Sequence, residues 1–194
     1  MRRLGSATLV LAVSVENFGQ AMPWIEVDDP LTVESYLYAA QEVVEVASRR
    51  PLTERAVEIE FDLAEAHGFR RWWFPIAPVT EVTSVTAVQP LVAETVIDLD
   101  QVSLQRCHDE PQLWLTDAAL AIADPSKAQS VRVEATVGYA QGELPRGLAH
   151  AIILIVKEWY DAGVSIGDLT EASLSFSTKA LIKQQRYYRP REFG

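Results

Sequence analysis

At 194 residues the chain is long enough for one domain with a sizeable core, and its 48% hydrophobic and 23% charged residues exclude disorder as the default. Its formal charge of −10 counts against a protein that grips nucleic acid by electrostatics, although not against one that DNA slides past. No segment approaches the roughly 18–20 continuous apolar residues of a membrane span; the best candidate, Ala149 to Val156, contains His150 and is flanked by Lys157 and Glu158.

Met1-Arg2-Arg3 followed by apolar Ala7 to Val15 has the outline of a secretory signal, but Glu16 to Gln20 offer no small-residue cleavage site. Ser14 is placed to cap a short helix from Val15 to Met22, which Pro23 closes. Asp29 as cap and Pro30 at the first helical position then open a longer helix from Leu31 to Ser48. Tyr36, Ala40, Val43, Val44 and Ala47 fall on one face of it, and Glu34, Gln41, Glu42, Glu45 and Arg49 fall elsewhere. Arg49 and Arg50 suit its C-terminal dipole, and Pro51 ends it.

The hydrophobic period then drops from about 3.6 to 2. Val57, Ile59, Phe61 and Leu63 alternate with Glu58, Glu60 and Asp62, the pattern of a half-buried strand. Further strands are expected at Arg71–Ile76, Val82–Val88, Thr95–Leu99, Gln112–Leu115 and Val131–Tyr139, in one small antiparallel sheet. Turn signals lie at His67-Gly68, Pro78, Gln89-Pro90, Asp109-Glu110-Pro111 and Asp124-Pro125-Ser126.

Pro145 opens a helix running to Ala162, with Gly163 as its terminator. Leu148, Ile152, Ile155 and Trp159 form one stripe, and Ala149, Ile153, Val156 and Tyr160 a second beside it, which makes this helix central. Residues 163–177 read as a loop and Thr178–Tyr188 as a last helix, before a tail from Arg189 to Gly194 that a partner would order. The fold class expected is α+β: a helical bundle core (helices about 14–50 and 144–189) with an inserted small antiparallel β-sheet region (about 54–139), in a single domain of residues 1–194.

Candidate chemistry is sparse. Cys107 is the only cysteine, so no intramolecular disulfide or structural zinc site is available, which fits a reducing cytoplasmic setting. Cys107 and His108 are a candidate hydrolase pair, but strand neighbours point to opposite faces, and Cys107 to Glu110 read better as strand and turn. His67, His108 and His150 lack ligand spacing, so no metal and no cofactor is expected, with His150 a core or interface residue. Glu58, Glu60 and Asp62 on one strand face are a solvated face and not a glycosidase pair, which would come from facing elements. No phosphate loop, dinucleotide fingerprint or nucleophile elbow occurs. No catalytic residue is assigned.

Arg70-Arg71-Trp72-Trp73-Phe74 has the chemistry of a single-strand stacking surface. The acidic balance favours the alternative, a strand opening at a core or subunit interface. The C-terminus is the clearest asymmetry. Lys179, Lys183, Arg186, Arg189 and Arg191 gather there among Tyr187, Tyr188 and Phe193, a composition suited to docking in a protein groove.

Several phrases in order carry a family likeness. They are Val13-Ser14-Val15-Glu16, the Ile25–Asp29 loop, the amphipathic stretch Tyr36–Leu52, and Ile76-Ala77-Pro78-Val79-Thr80-Glu81-Val82-Thr83-Ser84-Val85. Val131–Tyr139, Pro145-Arg146-Gly147-Leu148-Ala149-His150-Ala151-Ile152, the pair Trp159-Tyr160, and Leu181 through Tyr188-Arg189 follow. So ordered, the chain resembles the head–tail connector (adaptor) family of tailed phages, prophages and gene-transfer particles. It departs from the family in lacking an Ala-Lys-x-(His)-Leu-x-Val run after Val13 and an Asn-Arg-Glu after the Trp-Tyr pair.

The resemblance implies a non-enzymatic structural subunit of a dodecameric ring, assembled in the host cytoplasm and placed in the virion at the head–tail junction. Its partners would be further copies of itself, the portal protein, a tail-side connector or stopper protein, and double-stranded DNA passing through without specific binding. Arg186, Tyr187, Tyr188, Arg189, Arg191 and Phe193 would contact the portal. Tyr36, Val44, Leu148, Ile152, Trp159 and Tyr160 would form core and interface. The rival readings are a small Cys107/His108-dependent hydrolase and a nucleic-acid-binding module using Arg70–Phe74.

Overall fold

Local chemistry sets the helix starts in the computed structural model, which describes residues 2–3, 10–25, 29–63, 71–89, 94–107, 110–123, 128, 130–164 and 174–189. Ser14 Oγ accepts the Asn17 N–H at 3.1 Å and opens α1 (Val15–Ala21). Asp29 accepts from the Leu31 N–H at 3.1 Å and from the Thr32 hydroxyl at 2.6 Å, ahead of Pro30 in α2 (Pro30–Ser48). Each satisfies a donor that a helix N-terminus otherwise leaves without a partner.

The chain divides into two compact units, Leu9–Thr53 with Tyr139–Tyr187, and Glu54–Gly138 with the terminal segments Met1–Thr8 and Tyr188–Gly194. The first is helical. Beside α1 and α2 it holds α4 (Arg146–Asp161) and α5 (Phe176–Gln185), the latter packed on both α2 and α4. Leu148, Ala151, Ile152, Ile155, Val156 and Trp159 are buried at three- and four-residue spacing on α4, facing Val33, Tyr36, Leu37, Ala40 and Val44 of α2. Each large side chain so buried contributes about 1.5–3 kcal/mol. The second expected stripe of α4 is shallower, with Val156 buried but Ala149, Ile153 and Tyr160 half-buried. His150, expected in the core or at an interface, is not in the core: it is exposed, on the face of α4 opposite the buried stripe. Gly163 ends the helix at φ +59°, a conformation that costs glycine no Cβ clash.

The second unit has its own core and two sheets, where the sequence led us to expect one. A five-stranded antiparallel sheet runs in the order β1 (Arg2–Arg3), β2 (Arg55–Asp62), β8 (Ser130–Val137), β4 (Val79–Val88), β5 (Thr95–Ile97). A three-stranded sheet runs β3 (Arg71–Trp73), β7 (Glu110–Leu115), β6 (Val102–Cys107). A six-residue helix, α3 (Asp117–Ile122), is capped by Thr116 and buries Ala119 in the same core.

Register explains the core. Ile59 lies opposite Val133 and Phe61 opposite Val131, so the inward residues of β2 and β8 form one layer. In β4 the apolar residues Val79, Val82 and Val85 are spaced by three, which a regular strand cannot place on one face. Register shifts between Val79 and Glu81 and between Val82 and Ser84 absorb the mismatch. Val79 and Val85 are thereby buried, and Val82 packs against the same cluster.

The fold is therefore α+β, but apolar burial is divided between a helical core and a β core. Pro111 lies inside β7, paired with Arg106, and is not a turn residue. As the second residue of its strand it interrupts the ladder little, and its carbonyl accepts the Phe74 N–H at 3.0 Å. The last helix spans Phe176–Gln185, not Thr178–Tyr188, because Ser175 caps it earlier and the chain is extended from Arg186. The turns expected at His67-Gly68 and Asp124-Pro125-Ser126, Pro90 of Gln89-Pro90, and residues 165–173 of the expected loop lie outside the described residues.

The Asp29 cap gives a pH test. Its fully exposed carboxyl lies below the ordinary value of 3.8, chiefly because the Thr32 hydroxyl bonds the charged form, helped by the backbone N–H groups of Leu31 and Thr32. A lowered folded pKa gives stability that is complete above 3.8 and is lost as the pH falls through the folded value. Asp29→Ala should lower the urea midpoint at pH 7, and the gap from wild type should close as titration proceeds below pH 3.8.

Candidate functional site

The C-terminal segment singled out from sequence leaves the helical unit at the end of α2, where polar groups converge. Tyr187 donates its N–H to the Ser48 carbonyl at 2.8 Å. Arg50 Nε donates to the Gln185 carbonyl at 2.6 Å, and its Nη1 to the Tyr139 hydroxyl at 3.1 Å. The Tyr187 N–H and Arg50 Nε bonds occupy the Ser48 and Gln185 carbonyls, which helix C-termini leave without partners. Arg50 therefore caps α5 rather than α2.

Arg49, between Ser48 and Arg50, has φ +57°, in the left-handed region that L side chains rarely adopt. Its own side chain is exposed, so contacts of its neighbours hold it there. Glu45 Oε1 accepts the Leu52 N–H at 3.0 Å on the far side of the turn.

Gln41 and Glu45, expected on the polar side of α2, are instead buried. Gln41 Oε1 accepts the Ala12 N–H at 2.8 Å and its Nε2 donates to the Val10 carbonyl at 3.2 Å, the two-bond pattern of a strand neighbour. Gln41 Nε2 also lies 3.5 Å from Glu45 Oε1. One face of α2 thus grips the segment before α1 and the turn after α2. The long polar side chains hide this role in the sequence, because only a carboxamide or carboxylate buried with its bonds satisfied fits there.

A second polar clasp starts α5. Glu158 accepts the Ser175 N–H and the Thr178 hydroxyl through its two carboxylate oxygens, each at 3.1 Å. The Tyr36 hydroxyl donates to the Val164 carbonyl at 2.6 Å while its ring meets Trp159 at 6.4 Å.

The expected portal-contact residues divide by position. Arg186 is exposed, Tyr188 is 58% exposed and Arg189 is half-buried, whereas Tyr187 is 3% exposed and packs as an anchor. Arg191 and Phe193 lie outside the described residues. Lys179 and Lys183, one turn apart on α5, are exposed and lead toward Arg186. Of the expected core and interface set, Tyr36, Val44, Leu148, Ile152 and Trp159 are buried and Tyr160 is half-buried.

The rival sites fare differently. Trp72, Trp73 and Phe74 are at most 7% exposed, so their rings present no stacking platform for bases. Arg70, His67, His108 and Asp109 lie outside the described residues, and Cys107 closes β6 opposite Glu110. Among the described residues, no three His, Cys, Asp or Glu side chains are grouped to hold a metal ion, and no helix is long and apolar enough to cross a membrane.

No family model matches the sequence, and no curated protein matches it. Solved structures do. A chain in the virion of the native gene transfer agent particle aligns at TM-score 0.70 and 22% identity, over 98% of this chain and 97% of that one. A chain from the neck of the native particle, computed with C12 symmetry, aligns at 0.69 and 22% over 100% and 98%. One from the neck of the empty particle, computed with C6 symmetry, aligns at 0.68 and 22% over 98% and 97%.

The chain has the fold of a gene transfer agent neck component. The match runs through both units and nearly the full length of each chain.

Two substitutions test that junction. Arg50→Ala should destabilise the protein by about 1–3 kcal/mol, the range for losing charge-assisted bonds, and should speed amide exchange at Tyr187 more than in the centre of α4. Arg49→Gly should raise stability by about 1 kcal/mol in urea unfolding, because glycine occupies the left-handed region without a Cβ clash.

Proposed function

We propose that this chain is a non-enzymatic adaptor that assembles as a ring at the junction of a DNA-filled head and its tail. Support comes from the neck fold at full length, together with the ordered phrases that resemble head–tail connectors. The ring is a dodecamer in this reading, in keeping with a neck computed with C12 symmetry. A closed ring needs a heterologous interface, in which one surface of each subunit meets a different surface of the next.

The observation that carries the portal contact is the exit of the C-terminus. In a chain of net charge −10, Lys179, Lys183 and Arg186 lie exposed along the approach to Tyr188, and Tyr187 is locked to Ser48 just before it. An anchored root followed by cationic and aromatic residues suits insertion into a groove of the portal, because holding the root lowers the entropy lost on docking. Tyr188, Arg189, Arg191 and Phe193 are the contact residues proposed, with Arg186 at the rim and Tyr187 as anchor. The acidic balance lets DNA pass, since a surface poor in cations makes few phosphate contacts. A tail-side connector or stopper protein occupies the opposite end of the ring.

The test is a chain truncated after Tyr187, which keeps the bond to Ser48. It should retain the wild-type circular dichroism spectrum and core, yet fail to join heads to tails in an assembly assay scored by electron microscopy. Particles that join normally with the truncated chain would overturn the portal contact. Absence of any ring at the junction in wild-type particles would overturn the function itself.

A further inference from the structure

The cations of the helical unit gather around one junction. Apart from Lys157 and Lys179, all of them lie at or within a turn of the groups that make it: Arg49, Arg50, Arg146, Lys183 and Arg186. Ser48 and Arg50 bind Tyr187 and Gln185 there, and Gly147 abuts the Gln185 side chain, since a Cβ built on it would lie 3.5 Å away. The ends of α2 and α5 and the start of α4 thus meet.

Two of these cations work against their own local structure. Arg49 holds φ +57°, where a helix-ending glycine or asparagine fits more easily. Arg146 is the first residue of α4, at the positive end of the helix dipole, where an acid is favoured. Both side chains are exposed, and among the described residues neither makes a hydrogen bond or ion pair. The same holds for Lys183 on the last turn of α5, although its charge suits that helix end.

Lys157, by contrast, pairs with Asp161 at 2.5 Å. The exposed acids of the helical unit nearest in sequence, Glu42 and Glu143, bond none of the three cations. No contact within the unit therefore accounts for an arginine at position 49 or 146. Residues that break a local rule without a local gain mark functional sites.

We infer that Arg49, Arg146 and Lys183 form a cationic seat for an acidic surface of the protein that receives the C-terminal tail. Charge complementarity selects the occupant. Carboxylates pair with both guanidinium groups and with the ammonium, whereas the chain's net charge of −10 repels a long polyanion such as DNA. Val46, 64% exposed and one turn before Arg49 on α2, adds an apolar contact of the kind a protein surface offers. The inference rests on the portal reading above and deepens it, because it adds residues of α2 and α4 to a contact otherwise confined to the tail and the end of α5.

Full-length chains test it in co-sedimentation with tail-less heads, which carry the portal. Arg49→Gly and Arg146→Glu should each unfold at a urea concentration no lower than wild type, since each relieves its local conflict. Each should nonetheless bind the heads about tenfold more weakly, the size of one charge-assisted contact. Arg49→Lys, which keeps both the charge and the strained backbone, should bind near wild type. Added salt should weaken wild-type binding more than that of Arg49→Gly.

Variants that bind the heads as tightly as wild type would overturn the seat, as would weaker binding that merely follows a lower unfolding midpoint. A short DNA duplex held by wild type at physiological ionic strength and released by Arg49→Gly would make the ligand a phosphate backbone and overturn it too. The adaptor reading fails separately: wild-type chains would then leave the heads unbound, whereas rejection of the seat alone leaves wild-type binding intact.

Discussion

The turn after α2 holds together segments far apart in the chain. Ser48 offers its carbonyl to Tyr187, Arg50 reaches the Gln185 carbonyl and Tyr139, and Glu45 receives the Leu52 N–H. Gln41, one turn earlier, binds both backbone groups of the Val10–Ala12 segment that it faces. The helical unit is built from two stretches separated by the β unit in sequence, so its core alone leaves the ends of those stretches loosely defined. Hydrophobic contact is non-directional; bonds with fixed donors and acceptors set register. Buried polar side chains on α2 supply that register, and the strained backbone at Arg49 is the geometric cost of bringing Ser48 and Arg50 to bear together.

The β unit solves its register by other means. Its acids and apolar residues alternate cleanly in β2, but β4 carries apolar residues at spacing three, which conflicts with a pleated strand. Two irregularities reconcile them, each setting two residues of β4 against one of β8. A phrase of the form Pro-Val-x-x-Val-x-x-Val is therefore a statement about bulges as much as about burial, and this is the stretch that contributed to the connector resemblance.

This contrast separates what was legible from what was not. Helix starts were readable because Ser14, Asp29 and Pro30 act within a few residues of themselves, and the stripe Leu148, Ile152, Ile155, Trp159 recurs at a fixed period. The strand Val102–Cys107 was missed because only Val102 and Leu104 mark its inward side, and α3 because six alanine-rich residues carry too short a period to register. Gln41 and Glu45 look like surface residues until their partners, Val10, Ala12 and Leu52, are brought to them by tertiary structure. Tyr187 has the same character: among Arg186, Tyr188 and Arg189 it reads as one more docking residue, and only the position of Ser48 makes it an anchor.

That last distinction bears on how the proposed adaptor would work. A tail that docks in a partner needs a mobile or exposed tip and a root that transmits the hold to the rest of the molecule. Here the boundary falls between adjacent residues, Tyr187 at 3% exposure and Tyr188 at 58%. The root is tied to Ser48, and through Arg50 to the end of α5 and to Tyr139, the residue at which the chain enters the second half of the helical unit. The residue before the proposed contact segment is therefore fixed by a directional bond to the end of α2, beside the bonds that Arg50 makes to Gln185 and Tyr139. For a subunit proposed to join a head to its tail, that placement of the anchor matters as much as the chemistry of the contact residues.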